Sequence, residues 1–445
     1  MEKYIAAVDL GTKKITVLAG EKTSSGKFHI LAHHEAPSRG VVHGKVLNNV
    51  EVGNVLKSLV DGLKQQAGIN VTEVYVGISG KHIQCNSKKS RIMRDDPAVE
   101  ISEEEIHRLK CDMYNIHVES GNRVLDVIPQ VYHLDDGHSE PNPVGICSYL
   151  LEAEFSVLIG AEKPMELIQR SIQRAGLHLK GLFLSPLAAA EAVLSDDDKN
   201  MGVAVVDIGG GTTSVAVYYD DIVRHVAVIP FGSDVVTDDI CQGCAIPLRY
   251  AERLKVQYGS CYSDLIRENP TFRISGAGDA EVSFRMLTKI IEARMAEIIE
   301  AVEYEIQQSG YADRLSAGIV LTGGGARLGE LTEFVKYKTG MKARKGEPLF
   351  VTSDSDSDVQ HGDYATAVGL LMKGAIENGY TIMEKTPVVV EPELFEWKPV
   401  GLKDTKKGTK KGTKHNESEI KKPNSFSKFT GDLFGKFFTP NDNGI

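Results

Sequence analysis

Basic excess is what this sequence most clearly lacks. Lys and Arg number 51 against 61 Asp and Glu, a formal net charge of −10 over 445 residues, so nucleic acid is not an expected partner, because its recognition needs a basic face. Long hydrophobic runs are missing too. Met1, Glu2 and Lys3 lead straight into a short apolar stretch, too brief for a secretory signal or a spanning helix, and a cytoplasmic protein is expected. Paired cysteines are absent: the six Cys are scattered, and Cys241 and Cys244 form a lone CxxC without a second pair or a nearby His. Reduced thiols beside a helix are the expectation. The glycine-rich turns carry neither the Gly-x-x-x-x-Gly-Lys-Ser/Thr of a P-loop nor the Gly-x-Gly-x-x-Gly of a dinucleotide fold, which leaves both without support.

What is present, twice, is an apolar strand running into Asp-x-Gly with Thr close behind. Asp9, Leu10, Gly11 and Thr12 form the first copy; Asp207, Ile208, Gly209, Gly210, Gly211, Thr212 and Thr213 form the second. Apolar and β-branched runs at 4–8 and 15–18 flank the first, and runs at 203–206 and 215–218 flank the second. Each reads as strand, tight turn, strand. Glycine lets backbone N–H groups approach phosphate oxygens without a Cβ in the way, and Thr hydroxyls add donors. A carboxylate cannot itself hold phosphate, since two anions repel. Asp9 and Asp207 are therefore expected to hold the water shell of a Mg2+, a cation that keeps several waters and takes one or two carboxylates. The duplication points to two like half-molecules closing on one phosphate chain.

A third glycine turn follows a buried-strand pattern at 319–322. Gly323, Gly324, Gly325 and Ala326 open there into a helix-like stretch from Leu328 to Lys338, and such a turn lets a purine and ribose lie flat against backbone. Strands alternating with helical stretches place the chain in the α/β class. Its length exceeds one ordinary core, and two lobes plus additions are expected.

Two phosphate hairpins and one adenosine turn, in this order, resemble the actin, heat-shock chaperone and sugar kinase superfamily. More narrowly, the stretches 203–216, 235–240, 251–256, 317–325 and 364–370 resemble the FtsA family of bacterial division ATPases, over roughly residues 1–392 and again at the extreme C-terminus. The resemblance implies an α/β, actin-like two-lobed ATPase fold with an FtsA-type 1C insert. Subdomain 1A would take 1–80, 165–200 and 360–392, the 1C insert 81–164, subdomain 2A 201–232 with 305–359, and subdomain 2B 233–304. ATP and Mg2+ are the implied cofactors. The implied partners are the FtsZ C-terminal peptide, further copies of the chain in a filament, an anionic membrane surface, and later division proteins met through the 1C insert.

Several residues acquire roles from that resemblance. In the chaperones and the filament protein MreB the residue before the Pro matching Pro186 is a Glu that helps place the attacking water; here it is Ser185. Serine is a poor base, so at most slow hydrolysis is expected, with nucleotide acting mainly as a conformational ligand and no catalytic residue assigned. Glu191 is either a substitute or a solvent-facing helix residue. Glu252 and Lys255 share a helix face and match the chaperones' adenosine-clamping Glu-x-x-Lys, or else form a surface ion pair. Lys14 stands where FtsA-like chains also have Lys, and either reaches phosphate or lies on the strand's solvent face. The FtsZ tail is implied to dock along 281–308, where Arg285, Lys289 and Arg294 meet an acidic peptide or pair with Glu292 or Glu297.

Beyond Trp397 the apolar pattern stops. The segment 393–425 includes a Lys/Gly/Thr-rich run from Lys403 that cannot bury a core and reads as a flexible tether. At 426–439 periodicity returns, with Phe426, Phe429, Leu433 and Phe437 on one helical face, widened by Phe434 and Phe438. Lys428 and Lys436 lie outside it, and Pro440 stops the helix. A single copy gives modest membrane affinity, while many copies along a polymer bind firmly. The tether's lysines favour an anionic inner leaflet. Two function classes compete: a membrane-bound cytoskeletal adaptor that anchors FtsZ at the septum, and a small-molecule kinase of the same superfamily. A PilM-like pilus assembly protein is a third. The tail favours the adaptor.

Overall fold

The glycine-punctuated apolar runs pair as their pattern requires. In the computed structural model, which describes residues 4–23, 27–135, 137–274, 280–353 and 358–377, Ile5–Leu10 lies antiparallel to Lys14–Lys22, and Val203–Ile208 lies antiparallel to Thr213–Tyr219. Leu10 faces Ile15 and Ile208 faces Thr213, so Gly11, Thr12, Lys13 and Lys14 make one turn and Gly209, Gly210, Gly211 and Thr212 the other. The shared register sets Asp9 opposite Thr16 and Asp207 opposite Ser214. The two carboxylates thus occupy equivalent places.

Each hairpin is the middle of a larger sheet. The first sheet runs His178–Leu184, Glu73–Ile78, Ile5–Leu10, Lys14–Lys22, Phe28–Pro37 and Val351–Ser353; the second runs Ile222–Ile229, Thr213–Tyr219, Val203–Ile208, Gly318–Thr322 and Ala343–Lys345. Beside each Asp strand lies a parallel neighbour reached by a crossover, so the Asp strands are covered on both faces and read as continuous apolar runs. All these elements belong to one unit, Met1–Thr386. Helices Ser185–Val193 and Ala365–Glu377 pack closely against each other between the sheets. A Cβ on Gly369 would lie 1.7 Å from Ala188 O. Their side chains join both sheets in a continuous core that includes Val8, Ala188, Val203, Val320 and Leu370.

Two additions hang on this frame. Gln84–Met93, Leu150–Ala161, Asn122–Leu134 and Ser139–Glu140 form a separate sheet under helix Glu103–Tyr114, which opens on a Ser102/Glu105 capping box. Alternate residues Leu151, Ala153, Phe155 and Val157 point inward and build its own core with Leu109. The second addition holds helices Ser233–Gly243, Leu248–Tyr258 and Phe284–Gln308 with a small hairpin, Thr271–Ile274 and Ala280–Ser283.

Two expected boundaries move. Val351–Ser353 pairs with Phe28–Pro37, backed by Phe28 N donating to Phe350 O at 2.8 Å, so the chain returns to the first sheet before residue 359. Helix Phe284–Gln308 runs unbroken through the expected break at 304/305. Among the described residues no helix is long and apolar enough to cross a membrane. The tether 393–425, the amphipathic segment 426–439 with Phe426, Lys428, Phe429, Leu433, Phe434, Lys436, Phe437 and Phe438, and residues 354–357 of the acid-and-hydroxyl run at 352–358 lie outside the described residues.

Candidate functional site

The tips of both hairpins open on one cavity of about 610 Å³, a size that fits a small organic ligand. Asp9, Gly11, Thr12 and Lys14 line it from the first turn; Asp207, Gly209, Gly210, Gly211 and Thr212 from the second; Gly323, Gly324 and Gly325 from the third; Glu252 and Lys255 from the helical addition. Two expected residues do not. Thr213 already belongs to the strand, is fully buried, and donates its hydroxyl to Phe231 O at 3.0 Å. Ala326 turns into the protein, 5% exposed.

Glycine at the turns serves packing as well as access. A Cβ on Gly211 would fall 2.7 Å from Thr12 Oγ1, and one on Gly210 would fall 2.6 Å from Lys13 Cγ. The second turn's bare backbone therefore receives the first turn's side chains. Thr12 Oγ1 also accepts from Gly44 N at 3.2 Å, and the His43 ring bonds Gly211 O at 2.8 Å. Gly323 has φ +84°, and a Cβ there would meet Asp207 Oδ1 at 2.2 Å. Only glycine fits both the backbone and the space.

The carboxylates set the electrostatics. Burial, then the neighbouring Asp207 charge, push the Asp9 carboxyl up to about 7 against the pull of Lys14. Burial likewise raises Asp207, though Thr366 Oγ1 donates to its Oδ2 at 3.1 Å. Two enclosed acids that resist ionising together suit a site that takes a divalent cation. The donors are oxygens only, and no group of three His, Cys, Asp or Glu able to hold a metal occurs among the described residues. That set fits a Mg2+ held through its water shell.

Glu252 and Lys255 are an ion pair, at 3.0 Å, but not a surface one: Lys255 is 7% exposed. Its Nζ also donates to Ser233 O at 2.9 Å and Thr237 Oγ1 at 2.7 Å. Burial pushes the Lys255 ammonium down, whereas the Thr237 hydroxyl and Lys255 charge outweigh burial and hold Glu252 below the usual range. Lys14 lies 3.9 Å over the Tyr364 ring, with Nζ 2.8 Å from Glu35 and 3.2 Å from Asp363. Ser185 lines the cavity as the first residue of its helix; Glu191 does not line it and pairs with Lys199 at 3.2 Å.

On the long helix, Arg285 and Lys289 are exposed. Arg294 is half-buried and already engaged, its Nη2 3.0 Å from Asp239 Oδ1 and its Nη1 2.6 Å from Glu297. Glu297, one of the two acids expected as an alternative partner, is in fact paired; Glu292 instead accepts from Ser263 N at 3.0 Å. Sequence reasoning missed Lys13, Asp363 and Thr366, which also line the cavity. The last two sit in or beside the 364–370 stretch that carried the resemblance. Nothing in the spacing singled out Lys13.

Comparison with known proteins bears on the family and the fold. A family model described as "Cell division protein FtsA" matches residues 204–369, and one described as "SHS2 domain inserted in FTSA" matches residues 80–159. The cell division protein FtsA of Pseudomonas aeruginosa is 34% identical over 376 residues, covering 84% of this chain and 89% of its own length. That of Escherichia coli K12 is 31% identical over 395 residues, with 86% and 93% covered. Among solved structures, the PilM-PilN type IV pilus biogenesis complex has a TM-score of 0.61 at 16% identity, with 83% of this chain and 98% of that one covered. MreB 5 of Spiroplasma citri bound to AMPPNP has a TM-score of 0.52 at 14% identity, with 85% and 99% covered. Both likenesses bear on the fold, which is the expected actin-like, two-lobed one with an inserted subdomain.

Proposed function

Because this chain belongs to the FtsA family of cell division proteins, we propose that it binds ATP with Mg2+ between its two Asp-tipped hairpins and uses the nucleotide to set the shape of a polymer subunit. The subunits assemble on the inner face of the cytoplasmic membrane, anchor FtsZ filaments at the septum and recruit later division proteins through the insert. One observation carries the nucleotide reading: two turns of equal length and register face a single cavity, each backed by an enclosed carboxylate.

In this reading the backbone N–H groups of 210–212 and the Thr12 hydroxyl hold phosphate oxygens, the Gly209 N–H being donated to Thr212 O at 2.9 Å within the turn. Asp9 and Asp207 hold the water shell of the cation, whose charge offsets that of the phosphates. Gly323, Gly324 and Gly325 floor the nucleoside end, with the Glu252–Lys255 pair as its wall. Ser185 positions a water without serving as a base, consistent with turnover that is slow at most. The subdomains 1A, 1C, 2A and 2B, with 351–353 moved to 1A and Phe284–Gln308 kept as one helix, the tether and the amphipathic segment 426–439 are part of the same proposal. Arg285 and Lys289 are the exposed cations offered to an acidic FtsZ peptide; Arg294 backs them from its Asp239 pair.

Sedimentation with anionic liposomes, with and without ATP and with and without residues 398–445, tests it. The full chain is expected to pellet with lipid and the truncated one to stay in solution. Undiminished sedimentation of the truncated protein would place lipid contact elsewhere. Phosphorylation of a small molecule by the full chain would favour the kinase instead.

A further inference from the structure

Lys13 has no part in the scheme above, yet it spans the cleft. Its side chain, 48% exposed, puts Nζ 3.0 Å from Asp234 Oδ1 and 3.8 Å from Glu252 Oε2. Both acids belong to the helical addition on the other lobe, Asp234 in the first turn of Ser233–Gly243 and Glu252 in Leu248–Tyr258. The pair passes over Gly210, where a Cβ would come within 3.1 Å of each Asp234 carboxylate oxygen. The start of that helix is also stitched to the second turn, since Ser233 N donates to Gly209 O at 2.9 Å and Asp234 N to Gly210 O at 2.8 Å. Both turns therefore grip one helix end, the second by backbone and the first by a single ammonium. From there Asp239 reaches Arg294 on Phe284–Gln308. The backbone stitches are fixed by register, whereas an ammonium on a flexible stem can change acceptors.

We propose that Lys13 is a positioning residue that trades Asp234 and Glu252 for the polyphosphate of a bound nucleotide and thereby loosens the start of helix Ser233–Gly243; this rests on the nucleotide reading above. Charge-assisted hydrogen bonds to phosphate are among the strong ones, and a triphosphate offers more charge than a diphosphate. Once Lys13 turns to phosphate, Glu252 keeps Lys255 as counter-charge while Asp234 loses the ammonium that lay 3.0 Å away. The release passes to the long helix through Asp239 and Arg294. The face that carries Arg285 and Lys289 becomes responsive to which nucleotide is bound.

The test uses the full chain with Mg2+, measuring ATP and ADP affinity by displacement of a fluorescent nucleotide, and hydrogen–deuterium exchange at 233–243 and 284–308. Lys13→Gln should weaken ATP about tenfold, ADP less, and abolish the ATP-induced rise in exchange at 233–243. Lys13→Arg should restore both. Asp234→Asn, which frees the ammonium, should tighten ATP by about two- to fivefold. Opposite signs at the two ends of one ion pair are the signature of exchange, because loss of a merely structural pair moves both variants the same way. The inference falls if Asp234→Asn weakens ATP as Lys13→Gln does, or if ATP binds the unaltered protein without changing exchange at 233–243. Failure of the unaltered protein to bind either nucleotide would instead sink the nucleotide reading, and this inference with it.

Discussion

The two hairpin turns share length, register and a preceding Asp, yet they are built from opposite materials. After Gly11 the first turn works through the side chains of Thr12, Lys13 and Lys14, whereas Gly209, Gly210 and Gly211 offer bare backbone before Thr212. The distances explain the asymmetry. Thr12 and Lys13 occupy the space that Cβ atoms on Gly211 and Gly210 would need. Two turns facing each other across a narrow cleft cannot both project side chains into it, so duplication is kept in the backbone and the Asp and given up between them.

The largest expected effect strikes what the turns share. Asp207→Ala should lower Mg-ATP affinity by about a hundredfold, measured by titration calorimetry, with circular dichroism unchanged. Asp9→Ala should match it if the hairpins are equivalent in function as in register. Near-normal binding by either variant would break the equivalence at its centre.

A pH series sharpens the same pair. With its carboxyl pushed up to about 7, Asp9 holds a proton below that pH, which a cation's water shell must displace. Mg-ATP affinity should therefore fall about tenfold per pH unit below 7. Stability of the protein alone runs the other way. The folded state binds more protons at Asp9 than the unfolded chain between about 4 and 7, so this group's contribution is lost as pH rises through that window. Asp9→Asn should flatten both dependences. A variant that keeps the slope would assign the proton to another group.

The asymmetry itself is probed by Gly211→Ala. The added methyl meets Thr12 Oγ1 and Cγ2 at 2.7 and 2.8 Å, and about 1–3 kcal/mol of stability should be lost, read from denaturant unfolding. Thr12→Ala in the same chain should recover part of it. Additive losses would show that the turns do not interlock.

The sequence displayed the duplicated strands, the third glycine turn and the α/β alternation because these are local patterns of period and breakage. Partners set by tertiary contact were another matter. That Lys13 pairs with Asp234 while Lys14 turns to Glu35 and Asp363 depends on which way each side chain leaves its turn, and adjacent lysines look alike in sequence. Lys255 was legible as half of an i,i+3 pair, yet not as buried, because burial comes from Ser233 and Thr237 on another helix. The return of Val351–Ser353 to the first sheet was hidden for the same reason: a three-residue edge strand carries too little pattern to name its neighbour.

The smallest effect separates the turn from the strand. Thr213 was expected beside Thr212 as a phosphate ligand, but in the shared register its counterpart is Ile15, and both are fully buried. An apolar residue at the matching place marks the position as core, with the Thr hydroxyl occupied by Phe231 O. Thr213→Val keeps the shape and removes that bond. It should cost about 1 kcal/mol in unfolding while Mg-ATP affinity stays within about twofold, in contrast to Thr212→Ala, which should weaken binding with little change in stability. A Thr213→Val protein that unfolds normally but binds poorly would put the hydroxyl back in the site and shift the start of the second strand by one residue.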